Sequence, residues 1–518
     1  MNTTTNRRFP GLRALAATAF AGLLLLGALA VPAHHAIAAP NEIRIALSGG
    51  LDLLDPQRTA NGNDLIIASQ IYDTLLKLDP KTGKLLPNLA TSFALKSPTI
   101  WEFKLRKDVK WQDGQPFTAA DVKYSLERML DKSLNSPHYS QITSIDRVDI
   151  VDDDTVDIVT KMPDPVLPRR MQPIGGSGRV FIVPKHYFEA HSKQEVNDQP
   201  MGSGPYKFVE WKKGQSLTLV RNPDYWGTKP EVEKAVFTFI PENSTRVNAL
   251  LRGEVDVIQR VPIPDVPRIE SSGTAQVISS DNGLVHTLLV DSRKPPFDDV
   301  KVREAFAHAI DIKGIVSSLL GKYGRVLGPP MPPTVVQYDA SIQPYTYDPE
   351  QSKKLLADHP KIELNTYTSD GRYVDDREIY QAMNAQLGAV GFTIHPQVME
   401  WGRLVGMMMN RSAGPFYIVG WDFGEGDASK INSFLKSNSA LSVTADPEYD
   451  QLVDQAGGEM DEQKRTADWK AVQKLVHDRY YIGAVWQAAA IYGFSKSFTW
   501  DAQYGENLDL ATIKTVAK

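Results

Sequence analysis

Two hydrophobic rhythms take turns along this chain from Glu42 almost to its C-terminus, and no fold built from helices alone or strands alone accommodates both. Glu42-Ile43-Arg44-Ile45-Ala46-Leu47 alternates with period two and stops at Ser48-Gly49-Gly50. Such a pattern predicts a strand running into a tight loop. A strand pair is expected at Ile100 to Leu105 and Val109 to Trp111, followed by an Asp113-Gly114 turn. Thr118 with Asp121 three residues on forms a capping box for a helix carrying Val122, Leu126 and Met129. Ser244 is placed to cap a helix with Val247, Leu250 and Leu251 that stops at Gly253 before the strand Val255 to Ile258. Val302, Phe306, Ala309 and Ile310 share a helical face, Asp311 caps the next helix as far as Gly321, and Asp348-Pro349 opens another. A helix from Asp375 turns Ile379, Met383, Leu387 and Val390 inward and ends at Gly391, where Phe392 to Ile394 resumes a strand. Phe416 to Gly420 is a further strand, and Trp469, Val472, Leu475 and Val476 mark a late amphipathic helix. The class is therefore α/β. At roughly 100 to 200 residues per domain, 518 residues allow about three domains. Pro262-Ile263-Pro264 to Pro267 and Pro329 to Pro333 read as stiff connectors, suited to crossovers or hinge-side loops.

The chain contains no cysteine. Disulfides, thiolate metal sites, thiol nucleophiles and a lipid-modified N-terminal cysteine are all excluded. Net charge is −5, and beyond the first 38 residues 54 basic side chains stand against 62 acidic ones, a net −8 that argues against nucleic-acid binding. Arg7, Arg8 and Arg13 precede the apolar run Leu15 to Val31, and Ala36-Ile37-Ala38 supplies small residues for signal peptidase. Residues 1–38 are accordingly expected to be a cleaved signal peptide. No later stretch is apolar enough to span a bilayer, so the mature protein is expected to be periplasmic and soluble, and not a lipoprotein.

Motifs for chemistry are sparse. The histidines show no H-E-x-x-H and no i, i+4 pair, and His186 and His191 stand five apart. Gly175-Gly176-Ser177-Gly178 lacks the Gly-Lys-Ser/Thr of a phosphate cradle, and Arg179 occupies the last glycine of a G-x-S-x-G elbow, which leaves a loop. Ser433 to Lys436 satisfies S-x-x-K and Lys81-Thr82-Gly83 satisfies K-T-G, but in the wrong order for a penicillin-recognising hydrolase and without S-D-N.

An aromatic and acidic group does stand out. Trp401, Trp421 and Phe423 accompany Asp422, Glu425 and Asp427, with Gly420, Gly424 and Gly426 interspersed. Glycines admit close backbone approach, indole rings give flat apolar walls, and carboxylates attract cations. The same residues could instead form core and solvated loop, with Asp427 capping the helix through Ile431 and Leu435.

Several stretches, in order along the chain, resemble the family 5 extracellular solute-binding proteins, receptors of ATP-driven importers for peptides, opines, nickel chelates and related solutes. They are Pro87 to Phe93, Trp101 to Arg106, Trp111 to Gly114 with Phe117 to Val122, Gly202 to Tyr206, Arg221 to Trp226, Leu251 to Asp256, Pro295 to Arg303, Ala309 to Asp311, and Tyr347 to Glu350 with Leu355-Leu356. The resemblance implies a type II periplasmic-binding fold, in which two lobes joined by a hinge trap ligand and an additional domain sits in the N-terminal half. By similarity, lobe I combines 39–72, 183–285 and 488–518, the extra domain is 73–182, and lobe II is 286–487. In peptide receptors of the family a segment after a Gly-Trp pair runs along the ligand and an aspartate holds its ammonium. Here the pair is Gly420-Trp421, and the aspartate position falls on Gly424, between Asp422 and Glu425. The family aromatic is retained as Trp401, and a pocket position on the extra domain falls on His138 or Tyr139.

The function so implied is a monomeric, non-enzymatic receptor without a cofactor. It captures a peptide or peptide-like solute and delivers it to the permease and ATPase of an ABC importer. A secreted hydrolase and a periplasmic chaperone for unfolded chains are the alternatives. A hydrolase would turn over a chromogenic ester or amide, and a chaperone would lack saturable small-ligand affinity.

Overall fold

The computed structural model describes residues 41–516 except 80–81, 174–179, 282, 360, 370–371 and 503–506. The expected leader with its cleavage after Ala38, the loop at Gly175 to Arg179, and Lys81 of the K-T-G triplet lie outside the described residues.

Two sheets organise most of the chain. The first has seven strands in the order Ala275–Ser280, Ala490–Ser495, Val257–Gln259, Glu42–Leu47, Lys234–Phe239, Ser216–Arg221, Tyr206–Lys212. Only the pairings of Glu42–Leu47, the first predicted strand, are parallel, and both its neighbours run alongside it. Apolar clusters cover both faces, one around Ile45, Tyr72 and Phe237, the other around Val247, Leu250 and Ile258. The second sheet has four antiparallel strands in the order Gly324–Val326, Ile482–Ala488, Leu284–Val290, Phe416–Asp422. Clusters around Phe306 and Met383 on one face and Trp421 and Trp469 on the other bury it twice over. Burial on both faces explains why its strands read as unbroken apolar runs. A third, four-stranded sheet, Ala90–Ser97, Ile100–Leu105, Thr155–Thr160 and Ile145–Asp152, closes over the helix Ala119–Leu130, whose Val122, Leu126 and Met129 are fully buried.

The chain passes from one large sheet to the other twice, between the strands Ala275–Ser280 and Leu284–Val290 and at Ala489 between Ile482–Ala488 and Ala490–Ser495. Each crossing joins the end of one strand closely to the start of the next. The proline-rich connectors lie elsewhere, because a ring that fixes φ and removes an N–H cannot continue a strand ladder. Other expectations shift by a few residues. Glu242, not Ser244, caps the helix Asn243–Leu251, accepting from Ser244 N at 3.0 Å and Thr245 N at 2.5 Å. Val109 to Trp111 pairs only through a single bridge, Lys110 to Pro116. The capping box at Thr118, the Asp311 and Asp348 caps, and the helix Asp376–Ala389 after Asp375 form as expected.

Candidate binding cleft

A cavity of about 1120 Å³ lies where the two large sheets face each other. Its first wall is a polar edge with its geometry fixed by hydrogen bonds. Asn61 caps the helix Gly62–Ile71, accepting from Asn63 N at 2.9 Å, and Asn63 Nδ2 donates to Gly49 O at 2.9 Å. Gln259 Nε2 ties the two together, donating to Ser48 Oγ at 2.8 Å and Asn63 Oδ1 at 2.9 Å. Arg260, beside it, also lines the cavity.

The second wall rises from the strands Leu284–Val290 and Phe416–Asp422, in which His286 faces Gly420 and Val285 faces Trp421. A β-carbon at Gly420 would come within 2.8 Å of the Tyr373 ring, so glycine is what lets this ring lie on the sheet. The Tyr373 hydroxyl accepts from Gly420 N at 2.8 Å. Trp401 meets Tyr373 edge-on at 5.8 Å, and the Arg372 guanidinium lies over both rings, at 5.3 and 5.2 Å from their centres. Asp376, buried, anchors this loop by accepting from Ser369 Oγ at 3.0 Å and from the N–H groups of Arg372 and Tyr373 at 3.1 Å each. Among the described residues Arg372 forms no ion pair with a carboxylate. Neighbouring Asp375 sits at φ +50°, and burial, with the charges of Glu378 and Asp376, pushes its carboxyl above the ordinary range.

His286 closes the floor. It is 2% exposed, stacked on Trp486 at 5.3 Å and edge-on to Tyr373 at 4.8 Å. Burial, opposed by a hydrogen bond with the Trp486 backbone and aided slightly by the Arg372 charge, lowers its pKa to about 4, so it is neutral at pH 7.

Of the residues expected at the site, the structure brings Trp421 and Asp422 to the cavity. Trp421 is only 2% exposed: Nε1 donates to Thr287 Oγ1 at 2.6 Å and Phe434 packs on the ring at 4.5 Å. Asp422 accepts from Gly424 N at 2.8 Å. Trp401 stands behind Tyr373, one layer from the cavity. Phe423 is core, lying parallel to Trp421 with centres 6.4 Å apart. Asp427 turns away from the cleft altogether. It caps the turn Ala428–Ile431 and receives both terminal nitrogens of Arg465, at 2.6 and 2.8 Å, in a buried bidentate pair that holds its carboxyl well below the usual range against its burial. Glu425, half-buried, is absent from the lining; burial raises its pKa, with the Arg170 and Lys430 charges opposing. Gln172 Nε2 reaches the adjoining Gly424 O at 2.9 Å, so this stretch faces the third sheet's domain. His138 is buried with Nε2 2.8 Å from Thr59 O, and Tyr139 begins the short turn Tyr139–Gln141; neither lines the cavity. His138 is held by backbone because its ring fills a closed seam between segments.

Sequence reasoning missed Arg260, His286, Arg372, Tyr373 and Asp375. No motif flags them, and the only signal was the N-terminal cap of the helix after Asp375.

The model for bacterial extracellular solute-binding proteins, family 5, middle region, matches residues 84–442. This chain belongs to that family. A di/tripeptide-binding protein 2 of Pseudomonas aeruginosa is 27% identical over 490 residues, covering 87% of this chain and 90% of that protein. Among solved structures, the ABC transporter substrate-binding protein CtaP of Listeria monocytogenes superposes with a TM-score of 0.83 at 21% identity, over 92% of this chain and 99% of that one. MoaA of A. tumefaciens R10, in complex with mannopinic acid, superposes with a TM-score of 0.74 at 25% identity, over 92% and 100%. The fold shared with these structures is a two-lobed type II α/β architecture. No helix among the described residues is long and apolar enough to cross a membrane, and none of their His, Asp and Glu clusters is suited to a metal.

Proposed function

We propose that this protein is the periplasmic receptor of an ABC importer, capturing a peptide or peptide-like solute between its lobes and presenting it to the permease. The observation that carries this reading is the cavity of about 1120 Å³ between two sheets joined by only two short crossings. Such a joint permits hinge closure, and ligand favours the closed state by its differential affinity for it. Volume and lining suit a solute of peptide size with both apolar and ionic groups. Arg372, pre-oriented on two aromatic rings, is the anchor for a carboxylate. The relatives that bind di- and tripeptides and mannopinic acid support this ligand class.

Apolar clusters around Ile45 and Phe237, around Phe103 and Leu126, and around Trp421 and Trp469 support a division into lobe I, extra domain and lobe II, with the first lobe ending after Ser280 and resuming after Ala489. Export would follow cleavage after Ala38, leaving a soluble, non-lipidated and monomeric receptor that does no chemistry itself.

Small-angle scattering of the mature protein with Ala-Ala, Met-Leu, Ala-Glu and mannopinic acid tests the reading. Saturable binding of at least one, with a fall in radius of gyration, is expected. Binding without change in shape, or turnover of a chromogenic amide, would overturn it.

A further inference from the structure

The third sheet and its helix supply no residue to the lining of the cavity. They are tied to the seven-stranded sheet's side by buried polar contacts. Gln57 Nε2 donates to Ser125 O and Phe181 O, both at 3.1 Å, Arg128 meets Asp55 at 2.6 Å, and Gln112 Nε2 donates to Tyr206 O at 2.7 Å. Phe181 packs in the same apolar cluster as Ile45, Tyr72 and Phe237. A shared core and shared buried hydrogen bonds make these two parts one body.

Toward the four-stranded sheet that body reaches the turn following Phe416–Asp422, which Gly426 N closes by donating to Phe423 O at 2.7 Å. Gln172, fully buried, donates from Nε2 to Gly424 O at 2.9 Å. A terminal nitrogen of Arg169 donates to Gly83 O at 3.0 Å and lies 3.0 Å from the point where a β-carbon on Gly426 would stand. The charges facing this guanidinium are Asp427, Glu462 and Arg465, all beyond the turn. Gly83 of the K-T-G triplet completes the contact: a β-carbon there would fall 2.3 Å from Thr334 O, at the end of the Pro329 to Pro333 stretch. The Gly424 peptide is therefore held from both sides. Its N–H donates to Asp422 Oδ1 at 2.8 Å on the cleft wall, and its carbonyl accepts from Gln172.

These contacts join parts that the crossings before Leu284 and at Ala489 leave free to separate. A hinge opening there keeps the third sheet with the seven-stranded one and carries the turn away from Gln172 and Arg169. We propose that Gln172 and Arg169 form a clasp that engages the turn Phe423 to Gly426 when the cleft closes, so that the third sheet's region sets the affinity for solute without touching it. This rests on the reading of the cleft as a receptor site. With the cleft open, water satisfies both the Gly424 carbonyl and the Gln172 amide; on closure they satisfy each other. A side chain without the donor leaves that carbonyl buried and unpaired in the closed state alone. The closed state is then less populated, and every solute loses affinity by one common factor.

Gln172→Met, similar in length but without a donor, tests this by calorimetry and stopped-flow on the mature protein with Ala-Ala, N-acetyl-Ala-Ala and mannopinic acid. Each solute that the parent binds should weaken by the same factor, about fivefold or more, through faster dissociation. Arg169→Met should act in the same sense. The chain contains no cysteine, so Gln172→Cys introduces the one thiol available to a maleimide. That thiol should react about tenfold or more slowly at saturating solute than without it. Binding within twofold of the parent by both methionine variants, a loss confined to the ammonium-bearing peptide, or a maleimide rate indifferent to solute overturns the clasp and leaves the receptor reading intact. Failure of the parent to bind any of these solutes removes the receptor reading and the clasp with it.

Discussion

Two segments approach the cleft from the side of the four-stranded sheet, Gly420–Asp427 and Arg372–Asp376, and they differ in what they leave over for a ligand. The first holds the aromatic and acidic residues that look like a binding site in the sequence. Most of them are already satisfied: Trp421 by Thr287 and Phe434, Asp422 by Gly424 N, and Asp427 by Arg465. The second carries no motif, yet it sets Arg372 on two rings above the cavity with no acidic partner among the described residues. Residue type selects candidates, and the partners already made inside the protein decide which remain available.

The sharpest way to break this comparison is Asp427→Asn. If Asp427 belongs to the scaffold, removing its charge strands a buried Arg465 and should cost about 3 to 5 kcal/mol of stability. Urea unfolding measures the loss. Ligand affinity of the folded fraction should stay within about threefold of the parent. A variant of normal stability that no longer binds would return Asp427 to the cleft.

A second test concerns the floor shared by both segments. The His286 pKa is lowered from 6.5 to about 4 in the folded protein, chiefly by burial. Above pH 6.5 the ring is neutral folded or unfolded, and pH has no leverage through it. Between pH 6.5 and about 4 the unfolded chain takes up the proton and the folded one does not, so stability falls as pH falls, by about 3 kcal/mol over the window. Arg372 and Tyr373 are the ionisable groups facing the ring, and neither offers it a negative charge. His286→Phe keeps the stack on Trp486 and should flatten this part of the pH–stability curve. An unchanged slope would mean that the ring is solvated.

The parts of the molecule legible in the sequence are those governed by local rules. Thr118 with Asp121, Asp311, Asp348-Pro349 and the inward stripe of Ile379, Met383 and Leu387 all depend on residues within a turn or two of each other. The class and the course of the main strands follow from these. Illegible were features set by contacts distant in sequence. Arg246 and Gln259 reach the cleft through sheet order, and His286 finds Trp486 only because strands 200 residues apart in the chain are neighbours. The crossing at Ala489 carries no punctuation, since a strand passing from one sheet into another keeps its period. His138 and Tyr139 differ in another way: their positions came from resemblance, and here His138 is buried against Thr59 O while Tyr139 opens a short, half-exposed turn outside the cavity lining.

The smallest effect separates two neighbouring acids that the sequence leaves equivalent. Asp422 lines the cavity and uses one carboxylate oxygen on Gly424 N, whereas Glu425 lies outside the lining. Asp422→Asn should therefore weaken Ala-Ala more than N-acetyl-Ala-Ala, by about threefold to tenfold, as expected for a partly solvated carboxylate facing an ammonium group. Glu425→Gln should leave both peptides within about twofold of the parent. Stability gives an independent check on the second variant. Burial raises the Glu425 pKa, so the folded protein holds its proton more firmly than the unfolded chain, and stability falls as pH rises from the ordinary glutamate range through the raised value. Glutamine removes that liability, and Glu425→Gln should be at least as stable as the parent at pH 7 in a thermal melt. If Glu425→Gln instead loses the ammonium-bearing peptide selectively, the segment beyond Phe423 turns into the cleft when ligand binds, and the contrast between the two wall segments fails.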